Sequence, residues 1–320
     1  MKKIIAFLML LAAGSLAGWA DEPAPRELAN QLINAFSANP GGPSDPQTLA
    51  TNITVLQKAI GADPADPALH LALATCYLAQ KNSTAAMASM DKAYALSQGN
   101  PRIGMVYALT LKRNREPLKA RALYAEMIAA HPDLPPLEIA LASLDITIQK
   151  YEEAEGIIEK LRANAPADLA ETDQGALLFM LGTCRLYQGD QPGAVFLLQG
   201  ASQHLPHAVL VLALLGEACL KQGDVNEAKD FLDQALAINP KFPSALYYKG
   251  VCLEHLGHPE LAPPFFQDAS VYGKARLRDN GEDYFLTAMA CRKLGKTGEA
   301  ATYEKQAAEL LYTYESPWRK

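Results

Sequence analysis

The chain has 320 residues, 49% of them hydrophobic and only 8% aromatic, with a formal net charge of −6. An Ala- and Leu-rich composition of this kind favours an all-helical chain with ample apolar material for a core. The acidic balance argues against nucleic acid as a general partner.

The N-terminus, MKKIIAFLMLLAAGSLAGWA, sets Lys2 and Lys3 before an uncharged apolar run from Ile4 and closes on small residues ahead of the acidic, Pro-rich DEPAP. This is the layout of a secretory signal peptide, and a leader opening Met-Lys-Lys points to a bacterial host. Residues 1–20 are expected to be removed after Ala20, where Gly18 and Ala20 satisfy the small-x-small rule. Ser15-Leu16-Ala17 offers a second cleavage site, and an uncleaved anchor is the alternative. Loss of Lys2 and Lys3 moves the formal charge from −6 to −8. No Cys follows the apolar run, which argues against a lipoprotein anchor. Downstream of Ala20 no apolar stretch is long enough to span a bilayer. The chain is therefore expected to be exported, periplasmic or secreted, with no membrane span after cleavage.

Residues 21–66 read as an irregular helix pair, PRELANQLINAFSA and QTLATNITVLQKAIGADP, joined by the Pro/Gly-rich NPGGPSDP. From residue 67 a period appears. Gly216 has small counterparts at Ala74, Ala108, Ala142, Gly182, Gly250 and Ala288, and Ala228 has counterparts at Ala86, Ala120, Ala154, Ala194, Ala262 and Ala300. Successive units are 34 residues apart in four of six steps, with six extra residues before Gly182 and four before Ala288. Two antiparallel helices approach closely only where small side chains meet, which is the physical reason for the pattern. Larger residues flank these sites at helical spacing: Leu212, Leu215 and Cys219 on one helix, Phe231, Leu232 and Ala235 on the next. Gly189, Gly223, Gly257 and Gly295 are placed to close first helices in a left-handed conformation. Pro132, Pro166, Pro206 and Pro240 stop second helices.

A helix-turn-helix unit of this length resembles the tetratricopeptide repeat. The best-matching unit is residues 207–240, HAVLVLALLGEACLKQGDVNEAKDFLDQALAINP, on the strength of Leu215-Gly216, Gly223-Asp224, Ala228, Leu232, Ala235 and Asn239-Pro240. The resemblance implies an all-α fold, a right-handed solenoid of antiparallel helix pairs, with a tandem array of about seven units over 67–312 and a tail at 313–320. Leu310, Leu311 and Tyr314 are available to cover the open end of the stack. Lys249 and Thr287 depart from the family pattern, which expects large apolar residues there, and Glu304 stands where an aromatic or Leu is usual.

Catalytic chemistry finds no foothold in this pattern. No nucleophile elbow, phosphate loop or HExxH is present. The pairs Glu152/Glu153 and Glu282/Asp283 fall on outer faces or turns, where solvation is the default. His204/His207 straddles Pro206 and His255/His258 straddles Gly257, so neither pair shares a helix face as a zinc site requires. Cys76, Cys184, Cys219, Cys252 and Cys291 all fall in the second half of a first helix and read as compact core filler. No enzyme activity, cofactor or metal is expected. A basic run, Lys112 to Arg121, stands out against the acidic average; it reads as a solvated helix-turn-helix surface that could meet an acidic partner.

In a stacked array the first helices line the inner surface, where partners bind. The resemblance places there Leu71 and Thr75, Met105 and Leu109, Ile139 and Ser143, Phe179 and Thr183. It continues with Ala213 and Glu217, Tyr247 and Val251, Phe285 and Met289. Family members that clamp a terminal carboxylate carry Lys, Arg and Asn at these sites. Apolar residues here favour a protein or peptide partner with a hydrophobic or amphipathic segment. The alternatives are that these residues pack into the protein's own core, or that the groove grips a glycan or small molecule, or assists an envelope enzyme, with Tyr247, Tyr248 and Phe179 as stacking platforms.

Overall fold

A computed structural model of the protein describes residues 27, 29–34, 45–166, 169–277 and 281–310. The signal peptide expected at 1–20, much of the first helix of the N-terminal pair, Leu311, Tyr314 and the tail 313–320 lie outside the described residues. Among the described residues there are helices, turns and no strand. After a helical stretch at 29–34 come α1 (Pro46–Ala62), α2 (Pro67–Ala79), α3 (Ser83–Leu96), α4 (Pro101–Arg113) and α5 (Pro117–Ala130). These are followed by α6 (Pro135–Thr147), α7 (Tyr151–Ala163), α8 (Glu171–Gln188), α9 (Gln191–His204) and α10 (Val209–Gln222). Then come α11 (Val225–Ile238), α12 (Pro243–His255), a 3-10 turn (Pro259–Leu261), α13 (Pro263–Lys274), α14 (Gly281–Lys293) and α15 (Thr297–Glu309).

The chain divides into two compact units, Met1–Ala140 and Leu141–Lys320. In the first, α1 packs on α2, α2 pairs with α3, and α4 pairs with α5. Ile33, Leu49, Ile53 and Leu56 join Leu69, Leu73 and Met90 in one core. In the second, α8 pairs with α9, α10 with α11, α12 with α13 and α14 with α15. Its main core runs from Leu198 through Leu215 and Leu232 to Phe266. Each unit is thus a stack of consecutive helix pairs, a helical solenoid.

Local chemistry explains where the helices begin and end. The side chains of Asp45, Asp66, Asn82 and Asn100 each accept a backbone N–H at the start of a helix, and Pro46, Pro67 and Pro101 follow at the first turn. First helices of the second unit close on Gly189, Gly223, Gly257 and Gly295, at φ 93°, 99°, 81° and 72°. The same position earlier in the chain is held by Lys81, Arg115 and Gln149 at φ 60°, 63° and 63°, a conformation that costs a residue with Cβ about 1–2 kcal/mol.

The small residues sit where the helices cross. A Cβ on Gly216 would lie 2.6 Å from Leu232 Cγ and 3.2 Å from the Ala228 carbonyl oxygen, one on Gly182 would lie 2.7 Å from Leu198, and one on Gly250 2.6 Å from Phe266. The matching alanines, Ala86, Ala120, Ala154, Ala194, Ala228 and Ala300, are fully buried. The two helices of a pair differ in patterning. Residues 211–220 of α10 and 245–253 of α12 are buried on every face, whereas α11 buries only Ala228, Leu232 and Ala235. The last three are spaced as one stripe of a helix whose other side meets water.

The departures from the repeat pattern are met by polar partners that local sequence does not reveal. Lys249, buried in α12, forms an ion pair with Asp233 of α11. Thr287 donates to the Asp283 carbonyl at 2.7 Å and fills the space left by Gly273, whose Cβ would come 2.4 Å from its hydroxyl. Glu304 accepts two hydrogen bonds from the Arg292 guanidinium, at 2.5 and 2.6 Å.

All five cysteines are buried and free, in keeping with their reading as core filler. Burial pushes the Cys76 thiol up to about 11 and those of Cys184, Cys219 and Cys252 up to about 12. Because the thiolate is the reactive species, these four are held protonated well above neutral pH. A disulfide reagent at pH 8 is therefore expected to leave the native protein unlabelled on the minutes timescale and to label five thiols in denaturant. Fast labelling of the native chain would overturn the burial of these positions.

Candidate functional site

The residues expected on the inner surface do not share one environment. In the first unit Leu71 and Met105 are buried, at 5% and 8% exposure, while Leu109 and Ile139 are half-buried. Leu71 belongs to the core around Leu69 and Met90. In the second unit Thr183, Glu217, Tyr247, Val251 and Phe285 are buried, and Phe179 and Met289 are half-buried.

The expectation of a groove centred on solvent-facing Phe179, Tyr247 and Phe285 is corrected at two of the three positions. The Tyr247 ring packs against Phe266 at 5.7 Å and edge-on to Tyr248 at 5.2 Å, and only 3% of the residue is exposed. Phe285 is drawn into a cluster with Tyr284, Ala307 and Leu310 on the adjoining last helix. Neighbouring helices claim these rings because large aromatic surfaces gain most from burial. Tyr247 and the similarly buried Tyr248 therefore offer no open stacking platform for a sugar ring. Phe179 and Met289 remain half-buried and packed against the main core of this unit, Met289 against the Phe285 cluster as well.

A polar cluster lies on the same series of first helices. Glu217 and Lys221, one turn apart on α10, bring Oε1 and Nζ to 2.8 Å while their side chains are only 3% and 5% exposed. Tyr187, near the end of α8, places its hydroxyl 3.4 Å from Glu217 Oε2 and its ring 4.9 Å beneath Lys221 Nζ. Tyr151, which opens α7, stacks on Tyr187 with ring centroids 5.3 Å apart. The aromatic rings cover the pair, and the cation gains a contact with the π face. Glu217 was legible as an inner residue. The repeat pattern alone does not mark Tyr187 and Lys221; their signal is that each follows an inner residue, Thr183 or Glu217, by four positions and so continues the same helix face.

At the rim, Arg185 of α8 ties Glu155 and Glu159 of α7 to Asp190 in the following turn. Of the histidines singled out in the sequence, His204 and His255 end α9 and α12, and His207 and His258 lie in the connections that follow; His207, His255 and His258 are exposed, and His258 Nδ1 is 3.7 Å from Glu260. Among the described residues no group of three or more His, Cys, Asp or Glu side chains is placed to hold a metal ion, and no helix is long and apolar enough to cross a membrane.

Consecutive helix pairs, crossing at buried Gly and Ala and closed by left-handed turns, define a helical-repeat solenoid protein. The sequence model described as tetratricopeptide repeat matches residues 53–110 and 185–249. These two segments therefore carry tetratricopeptide repeats, modules that bind protein or peptide partners and are generally non-catalytic. Among solved structures it is similar to a tetratricopeptide repeat protein from Parabacteroides merdae, at 16% identity and a TM-score of 0.62, over 82% of this chain and 99% of that one. It is also similar to pilF of Pseudomonas aeruginosa, at 14% identity and a TM-score of 0.51, over 77% of this chain and 99% of the other. The human IFIT1 dimer with PPP-AAAA matches at 14% identity and a TM-score of 0.51, over 90% of this chain and 73% of that one. At such identities the likeness is one of fold. None of the curated proteins matches the chain.

Proposed function

We propose that the protein is a non-catalytic interaction scaffold of the bacterial cell envelope, delivered by export, that holds a hydrophobic or amphipathic segment of a partner protein on the inner-helix face of its second unit. The observation that carries this reading is the make-up of that face. Phe179 on α8 and Met289 on α14 are apolar and only half-buried, and α10 between them in chain order carries the Glu217–Lys221–Tyr187 cluster. Half-buried apolar anchors at the margins, with the Glu217–Lys221 pair closed off beneath the Tyr187 ring between them, suit a segment that offers apolar side chains to this face. Export rests on the Lys2-Lys3 start, the apolar run from Ile4 and the small residues ending at Ala20.

A photo-crosslinking amino acid at position 179, in the full chain produced in a bacterial host, tests both parts. The expected result is a discrete adduct recovered from the envelope fraction, absent when the same group replaces Lys229 on the outer helix α11. Phe179→Ser/Met289→Ser should weaken partner capture by about tenfold or more while leaving the helical signal intact. Mass analysis of the recovered chain should find Asp21, or failing that Gly18, at its N-terminus. Full capture by the folded double variant would place the binding surface elsewhere, and a full-length chain confined to the cytosol would remove the envelope assignment.

A further inference from the structure

In the first unit basic residues are concentrated toward one end of the helices. Between Lys81 and Arg121 there are eight Lys and Arg against two carboxylates, Asp91 and Glu116, in a chain whose net charge is −6. The cations gather at the turns that join the first to the second helix of each pair. Lys81 lies in the turn from α2 to α3, and Lys112, Arg113, Arg115 and Lys119 surround the turn from α4 to α5. Lys81 and Arg115 occupy the same left-handed position one repeat apart, so both turns stand at the same end of stacked helices. Lys81, Arg113, Arg115 and Lys119 are exposed, and Leu118 beside them keeps 56% of its surface in water. At the other end of these helices lie Asp63, Asp66 and Asp133, together with Lys58 and Arg102.

Local helix and turn preference accounts for only part of this arrangement. Lys112 and Arg113 suit the C-terminus of α4, where the helix dipole is negative. Lys119 sits in the first turn of α5, where the dipole opposes a cation, with Glu116 as its ion-pair partner. Arg115 holds a left-handed turn position for which the second unit uses Gly four times and Gln149 once. Positions at which a sequence sets aside the locally preferred residue are where function is to be sought.

We propose that this basic turn edge is a docking surface for an anionic lipid headgroup layer. The cations project with Leu118 from helix–helix turns, which are the outermost points at that end of the pairs. A cavity in this unit, about 350 Å³ and lined by Tyr94, Gln98, Glu126 and His131, opens instead at the C-terminal ends of α3 and α5. Cations on protruding turns reach a flat surface together, whereas an acidic peptide would be held better in a cleft. A layer of phosphates is flat and anionic, and the exposed Leu118 side chain can enter its apolar margin.

The test is sedimentation of the intact chain with vesicles of phosphatidylcholine alone and of phosphatidylcholine with about one-third phosphatidylglycerol. Binding is expected only to the anionic vesicles and should fall steeply between about 50 and 300 mM salt. Each surface cation contributes roughly fivefold, so Arg113→Gln/Arg115→Gln/Lys119→Gln should weaken binding on the order of a hundredfold. Should that variant lose its helical signal, Lys81→Gln/Lys119→Gln serves, with about a 25-fold loss expected. Equal binding to both vesicle types, which insertion of the apolar N-terminal run would give, overturns the proposal. So does undiminished binding by a folded variant, or a preference for soluble polyglutamate over anionic vesicles, which would make an acidic protein segment the partner.

Discussion

Ala228→Leu is expected to destabilise the protein by about 1–3 kcal/mol, seen as a lower urea midpoint, because the crossing of α10 and α11 has no room for three further carbons. Ala228 is fully buried, and its carbonyl oxygen already stands 3.2 Å from where a Cβ on Gly216 would be. A helix cannot shift away without also disturbing Leu232, which fills the notch beside Gly216. Gly216→Ala should cost less. Its nearest obstruction, Leu232 Cγ at 2.6 Å, is the end of a flexible side chain, although the 3.2 Å approach to backbone limits the relief. Since repeats contact mainly their neighbours, damage at this crossing should also broaden the transition rather than only move it. An unchanged midpoint and width for Ala228→Leu would show that the helices do not cross there.

The same crossing shows what one sequence can disclose about such a fold. Gly216 and Ala228 recur because close helix approach forbids bulk at a fixed position in every pair, and the requirement depends only on residues within one unit. Turn closure at Gly223 and Gly257 was equally legible, since a left-handed conformation is a local property. The fate of the inner face was not. Whether Tyr247 or Phe285 meets solvent depends on which neighbouring helix reaches it, and Phe266 and the last helix take them. Position in the repeat fixed the direction of the residue and left its cover open. Lys249 and Glu304 look misplaced for the same reason: their partners, Asp233 and Arg292, are 16 and 12 residues away and carry no signal in the pattern. The basic run from Lys112 is plain in the sequence, but its gathering with Lys81 needs the turns of two successive repeats to be placed side by side.

Lys221→Met is expected to be among the most damaging single changes, at about 3–5 kcal/mol, because it strands the Glu217 carboxylate in the interior. Glu217 is 2% exposed and the Lys221 side chain 5%, so water cannot replace the lost cation. At 2.8 Å the two atoms form an ion pair without hydrogen-bond geometry, and Tyr187 supplies only a long 3.4 Å contact to the other oxygen. Glu217→Leu/Lys221→Met removes both charges together and should restore most of the loss, as apolar replacement of a whole buried pair generally does. A single-variant cost below about 1 kcal/mol would mean that the pair is solvated and the tyrosine cover is absent. The double variant also separates stability from binding. If the buried pair shapes the partner site by fixing Tyr187 and the face around it, the folded double variant should still present Phe179 and Met289 yet give a weaker crosslink from position 179. If the crosslink is unaffected, the pair serves only to hold α10 against its neighbours, and the partner segment is read by the apolar margins alone.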